Sequence, residues 1–380
     1  PLTGPLADPG SRAKAACDVA AEIINGSYDL PGIPYAKTQG IPNKGGAKIV
    51  LKFYDTQGSP EVGKAETERI LQEGKAKLII GAYQSSVTKP TSFVAERQKF
   101  PYLCAESSSA ALTERGLKYF FRIAPTDYHD TVMFFNFLDD MKKAGKQVSK
   151  IAMVYEKTEF GFHANEEVKK AVANSKGGYQ IVADIPYEFK ATDVNAEVLK
   201  VKAAQPDVVL HATQFSEMML FAKAYESLGV KVAANLSFCG GYQNPVFAKE
   251  LGKSVENYMG SCTFAEDFIQ KKAQLKVLND MFKAKVKSNL DGVAMEALTS
   301  VFVAADAFNR AKDLSPDAVR DALATTALEI ATLPGKGVKF DSNGQNIWID
   351  STMSQIIASD YKVVWPAEWA TSSVVWPMRP

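Results

Sequence analysis

Two serine clusters are placed where side chains can do chemistry: Ser85 and Ser86 in "GAYQSSVTKP", and Ser107, Ser108 and Ser109 in "PYLCAESSSA". Each cluster follows an apolar run and leads into a further element, so hydroxyls and backbone N–H groups collect at the same point. The first N–H groups of a helix lack partners within it, and the helix dipole favours an anion there. Two such starts from successive strand–helix units can grip a carboxylate through charge-assisted hydrogen bonds. A serine in such a place also serves as the cap of its own helix. The matching positions of the two clusters set anion binding beside capping as a reading of equal weight.

Other chemistry is sparse. His129, His163 and His211 are scattered, with no HExxH arrangement, and are expected in surface or core roles. There is no GxSxG elbow, no GxxxxGK[ST] loop and no GxGxxG after a strand, so hydrolase, P-loop and dinucleotide signatures are missing. An enzyme is therefore not expected, nor a cofactor or metal. The four cysteines, Cys17, Cys104, Cys239 and Cys262, form no CxxC pair. Cys239 and Cys262 each close a strand-like run, "VAANLSFC" and "YMGSC". If those strands are neighbours in one parallel sheet, their ends are placed for a disulfide.

Forty-four basic and 43 acidic residues give a net charge of +1. The basic residues form no block, which leaves no electrostatic footprint for nucleic acid or an anionic membrane. No apolar run reaches the roughly 20 residues that span a bilayer. The sequence opens at Pro1 without an initiator Met or an apolar leader, so a removed signal peptide is expected upstream.

The elements that position the serines alternate. "AKIVLKFYD" reads as a buried strand, and "SPEVGKAETERILQEG" as a helix capped by Ser59 with Pro60 at its first position. "AKLIIGA", "VTKPTSFVAERQKF" and "PYLCA" continue as strand, helix and strand. The series restarts at "SKIAMVYE" and runs on to "DVVLHA". In "SEMMLFAKAYESLG", Met218, Phe221, Ala222 and Tyr225 share one helical face, with Ser216 as N-cap and Gly229 just past the end. Successive helices follow Cys262, and "NIWIDSTMSQIIASDYKVVW" alternates like paired strands. The pattern predicts an α/β chain with two lobes of Rossmann type, each a parallel sheet between helices.

In such sheets ligands bind beyond the carboxyl ends of the strands. The residues there are Tyr83, Gln84, Ser85 and Ser86; Glu106 to Ser109; Thr158, Glu159 and Phe160; Thr213, Gln214 and Phe215; and Gly240, Gly241 and Tyr242.

Taken together, "PLTGPLADPGSRAKAACDVAAEIING", "KFYDTQGSPEVGKAETERILQEGKAKLIIGAYQSS", "ALTERGLKYFFRIAPTD", "VYEKTEFG" and "QPDVVLHA" resemble the type I periplasmic solute-binding proteins of the branched-chain amino acid (Leu/Ile/Val) ABC transport family. The resemblance covers nearly the whole chain and rests on the order and spacing of these stretches. It implies two lobes joined by three hinge crossovers, with a ligand cleft between them. The expected boundaries are 1–123 plus 265–339 for the first lobe, and 124–264 plus 340–380 for the second. It also implies a periplasmic or outer-face location and a monomer that captures a small molecule. The expected partners are an ABC permease, as the membrane contact, and its cytoplasmic ATPase. The same module serves elsewhere as the ligand-sensing domain of receptors and of amide-responsive regulators.

Carried over by position, the resemblance implies that Ser85 and Ser108 bind a ligand carboxylate, with Glu106 and Ser107 beside Ser108. Phe160 falls where an aromatic residue covers the ligand, and Gln214 where the branched-chain binders have tyrosine. Asp8 and Pro9 fall in the first loop, which often lines the pocket. Three departures stand out. The acidic partner of an α-ammonium is absent after "NLSFC", where Gly240, Gly241 and Tyr242 follow; Glu106 is a candidate replacement. Gly58 and Gln84 occupy the positions of an early disulfide. The family's first strand, which comes ahead of "PLTGP", is missing from this numbering and is expected upstream.

Overall fold

The computed structural model describes residues 1–378, the side chain of Cys239 excepted. The chain forms two compact units, residues 1–125 with 271–350 and residues 126–270 with 351–380. In chain order the first unit opens with α1 (Ala7–Asn25), α2 (Pro60–Glu73), β1 (Ile79–Ile80), α3 (Ser85–Arg97), β2 (Tyr102–Cys104) and β3 (Phe120–Arg122). The second unit follows with α4 (Asp127–Lys143), β4 (Lys150–Glu156), α5 (Glu159–Asn174), β5 (Gln180–Tyr187) and α6 (Asn195–Ala204). It continues through β6 (Val208–Ala212), α7 (Phe215–Ser227), β7 (Ala234–Ser237), α8 (Cys239–Tyr242), α9 (Pro245–Leu251) and β8 (Met259–Cys262). The chain then returns to the first unit as α10 (Leu275–Val286), α11 (Gly292–Arg310), α12 (Pro316–Ala324), β9 (Ala327–Glu329) and β10 (Gly337–Lys339). It ends in the second unit with β11 (Thr352–Ile357) and β12 (Asp360–Trp365).

The second unit is built on a seven-stranded sheet in the order β12-β11-β8-β7-β6-β4-β5. Five strands run parallel, and β11 with β12 forms an antiparallel hairpin at one edge. Alternation along the strands divides the core. Ile151, Met153 and Tyr155 face one side with Phe134, Phe137 and Phe160, while Ala152 and Val154 face the other with Val198, Phe221 and Tyr225. Both faces are thus covered by helices, the condition under which a parallel sheet is stable.

The register read for α7 holds, since Met218, Phe221, Ala222 and Tyr225 are all buried. Its start is two residues earlier than expected: Phe215 is the first helical residue and Gln214, not Ser216, holds the cap position. The helix opening "SPEVG" follows its expected pattern, with the Ser59 side chain accepting from the Val62 N–H and Pro60 in first place.

In the first unit, β1, β2 and β3 are parallel neighbours. Their core joins Ile79, Ala95, Tyr102, Cys104, Leu112 and Phe120. The stretch "AKIVLKFYD" is not the buried strand expected. Residues 49–55 belong to no ladder among the described residues, and Val50 is 88% exposed. A strand requires a neighbour for its N–H and C=O groups, and the side facing β1 is open. A cavity of about 600 Å³ lies there, lined by residues 49–54 and 78–83 and by Pro1, Cys17, Thr67 and Val301.

β7 and β8 are parallel neighbours, as the disulfide expectation required, but their register pairs Ser237 with Gly260. Cys262 lies opposite Thr352 on its other side and is a buried free thiol, 3.5 Å from the Thr352 hydroxyl. The expected Cys239–Cys262 bond is therefore not formed at Cys262; the Cys239 side chain lies outside the described residues.

Candidate functional site

In the first unit, Ser85 is the opening residue of α3 and Gln84 holds the cap position without a side-chain cap bond. The helix start is therefore unblocked by its own chain. The backbone N–H of Ser109 donates to the Ser85 hydroxyl at 3.2 Å, tying the loop after β2 to the start of α3. The two serine clusters thus meet, as their matching positions suggested.

Their members divide by role. The Ser107 hydroxyl is used internally, 2.7 Å from the Ala82 carbonyl, 3.1 Å from that of Tyr83 and 2.7 Å from the Thr88 hydroxyl. It braces the loop after β1 and is not available to a ligand. Ser108 is buried and has no side-chain partner among the described residues, and the Ser109 hydroxyl is buried and unpartnered. Ser86 and Tyr83 are half-buried. Glu106 is half-buried beside this loop, and burial pushes its carboxyl up to about 7. Gln84 is buried with both amide atoms unpartnered, and a side chain at Gly58 would come within 2.9 Å of its oxygen. The two positions compared with a disulfide are therefore in contact. Asp8 and Pro9 lie in the first turn of α1 rather than in a loop, with Asp8 exposed and Pro9 buried.

One organising residue was not singled out in the sequence. Arg122, at the end of β3, is fully buried. Its guanidinium donates to the carbonyls of Ser107 and Ser109, to the Thr113 hydroxyl and to Gln345. These bonds fix the serine loop from beneath. The available signal was a lone arginine inside the apolar run "YFFRIA", since a charge there must be buried with partners.

In the second unit, Phe160, Gln214 and Gly240 converge. A Cβ on Gly240 would lie 3.0 Å from the Thr213 carbonyl, 3.4 Å from Gln214 Oε1 and 3.7 Å from the Phe160 ring. Gly241 packs closer still, with a Cβ there 2.7 Å from the Gln214 carbonyl. Glycines at both positions let α8 sit against the β6–α7 junction.

Tyr242 is corrected. It is fully buried, its phenol bonded to the Tyr258 carbonyl and the Ser354 hydroxyl, and its ring packs on Phe247 and Tyr361. It follows the glycines on the inward side of α8 and belongs to the core.

Glu156, at the end of β4, was also missed. Its Oε1 accepts from the Thr158 hydroxyl and from Gln214 Nε2, the latter at 3.3 Å, and its Oε2 has no partner. Burial pushes this carboxyl up to about 8. Gln214 Oε1 is likewise buried and unpartnered. The three histidines take structural places. His129 completes the capping box of α4. His163 faces Glu159 and Glu166. His211 is buried against Phe221 and Tyr225, and burial lowers it to about 3. Among the described residues no group of acidic, His or Cys side chains is placed to hold a metal ion. Among the described residues no helix is long and apolar enough to cross a membrane.

Comparison with known proteins agrees with this architecture. A family profile described as periplasmic binding protein matches residues 1–359. Leu/Ile/Val-binding protein homolog 7 of Brucella abortus (strain 2308) is 25% identical over 355 residues, covering 91% of this chain and 84% of the relative. Among solved structures, the substrate-binding protein LivJ of Streptococcus pneumoniae in complex with isoleucine superposes with a TM-score of 0.78 at 19% identity, over 96% of this chain and 97% of that one. A solute-binding protein of an ABC transporter from R. palustris, in complex with benzoate, gives 0.80 at 16% identity, over 96% and 93%.

Proposed function

For a chain that belongs to the periplasmic binding protein family, we propose the role of extracytoplasmic solute-binding component of an ABC importer that captures a small carboxylate-bearing solute. The carrying observation is the bond from Ser109 to Ser85, which joins an uncapped helix start to a loop holding the unpartnered Ser108 hydroxyl. Isoleucine and benzoate, held by two similar proteins, share a carboxylate and little else, which supports the same reading here. Ser85 and Ser108 orient the carboxylate from the first unit, with Ser86 and the helix-start N–H groups beside them. Phe160 and Gln214 contribute from the second unit. The solute is enclosed by closure about the three chain crossings, and binding shifts an existing open–closed equilibrium. The closed form is what the permease, driven by a cytoplasmic ATPase, recognises. The protein itself performs no catalysis and needs no cofactor.

The test is the double variant Ser85→Ala/Ser108→Ala. A hydrogen bond to a charged group contributes about 1.5–3 kcal/mol, so carboxylate affinity by titration calorimetry is expected to fall at least tenfold, with the melting temperature little changed. Unchanged affinity would remove the assignment.

A further inference from the structure

The anchor beneath the serine loop is a charge. The bonds that Arg122 makes to Ser107, Ser109, Thr113 and Gln345 all end on neutral oxygens. Its Nη1 donates to the Ser107 carbonyl at 3.0 Å and to the Ser109 carbonyl at 2.5 Å. Its Nη2 meets the Thr113 hydroxyl at 2.8 Å, and its Nε meets Gln345 Oε1 at 2.7 Å. Gln345 is oriented in turn, because its Nε2 donates to the Ala124 carbonyl at 2.9 Å. The planar fork is thereby held in one setting. That setting decides what the far side of the loop presents. The peptides joining Ser107 to Ser108 and Ser109 to Ala110 are trans, and a trans peptide points its C=O and N–H in opposite directions. With both carbonyls turned to Arg122, the N–H groups of Ser108 and Ala110 are turned away from it. Both residues are buried, yet neither N–H donates to a group among the described residues. The Ser109 hydroxyl between them is buried and unpartnered as well.

We propose that Arg122 is a positioning residue for the ligand carboxylate: it aims the N–H groups of Ser108 and Ala110 and sets a positive charge behind them, without touching the ligand. The inference rests on the carboxylate reading above and uses the first unit alone. A guanidinium drawing on a carbonyl oxygen polarises the whole peptide, so the N–H at the other end becomes a better donor. Such polarisation strengthens a linked hydrogen bond by about 10–30%. Two peptides carry the influence of one cation to the same side of the loop, and outward N–H groups of this kind make a concavity suited to an anion. An arginine keeps its charge at every working pH, and burial leaves that charge little screened by dissolved salt. An uncharged amide of the same shape as the carboxylate finds the same donors but gains far less from the cation behind them. Arg122 therefore sets the preference for a charged end, while the serines supply the contacts.

Matched probes in titration calorimetry test the inference: benzoate against benzamide, and L-isoleucine against L-isoleucinamide. In each pair that binds, the unaltered protein is expected to favour the carboxylate by about tenfold or more. Arg122→Gln removes fork and charge together, and is expected to weaken the carboxylate about tenfold more than the amide. Arg122→Lys removes the fork but keeps a charge, so both members are expected to weaken by factors within about threefold of each other. Gln345→Glu leaves Arg122 in place and sets a negative charge against its Nε–H, and is expected to lower the carboxylate preference about threefold or more. Should Arg122→Gln show no cooperative melting, Gln345→Glu decides the matter. Equal weakening of acid and amide in Arg122→Gln, or an unchanged preference in Gln345→Glu, overturns the inference, reduces Arg122 to a brace and leaves the carboxylate reading standing. Absence of a carboxylate preference in the unaltered protein, or failure of all four probes to bind it, counts against the carboxylate reading itself and takes this inference with it.

Discussion

Burial without a countercharge favours the protonated form of a carboxyl, as it does for Glu156 and Asp130 among the described residues of the second unit. Burial pushes Glu156 up to about 8 and Asp130, which accepts from the Ser261 hydroxyl, up to about 7. Unfolded, both ionise near their ordinary values of 4.5 and 3.8. Between those values and 7 to 8 the native state binds more protons than the unfolded chain, so stability falls as pH rises. Calorimetric melting temperatures are expected to drop from pH 5 to pH 8, and Glu156→Gln is expected to flatten the upper part of that slope. A profile that rises with pH would contradict the burial of these groups. The place of Ser85 at the start of α3 was legible in the sequence because helix-start chemistry is local. Glu156 was not, because it ends an apolar strand and meets Gln214 only across 58 residues of chain. Tyr242 was misjudged for a related reason: its place after a strand was visible, but the inward turn of α8 depends on the close packing of Gly241.

Elements show the same division between local and distant causes. The face of α7 was readable from its spacing, and truncating Phe221, fully buried between Tyr187, His211 and Tyr225, is expected to cost about 3–5 kcal/mol. Urea denaturation of Phe221→Ala would measure it. Residues 49–55 have a strand-like composition, yet a ladder needs a second chain alongside, and none of the described residues supplies it. Hydrogen exchange is expected to be faster at residues 50–54 than at 151–155 by about a hundredfold or more, since exposed and unbonded amides lie at the low end of local stability. Equal protection of the two segments would contradict the open ladder position beside residues 49–55.

At the scale of the whole molecule, a solute bound by the native protein alone raises its stability, by about 2.7 kcal/mol at 100 times the dissociation constant. A thermal-shift screen of small carboxylates is therefore expected to register even micromolar binders. The two-unit plan was visible in the repeated strand–helix series, while the points of return were harder to place because helices after Cys262 carry no mark of the unit they serve. Those returns bear on synthesis. Helix α1 packs against residues far downstream, with Arg12 bonded to Asp291 and Cys17 reaching the Ala297 carbonyl. A ribosome adding about 5–20 residues each second therefore leaves the opening segment waiting for roughly the time needed to make residues 126–270. The second unit in turn waits for its final hairpin. A nascent chain halted before residue 271 lacks the returning helices of the first unit and the final hairpin of the second, so arrested chains of that length are expected to be digested by added protease faster than the full-length chain.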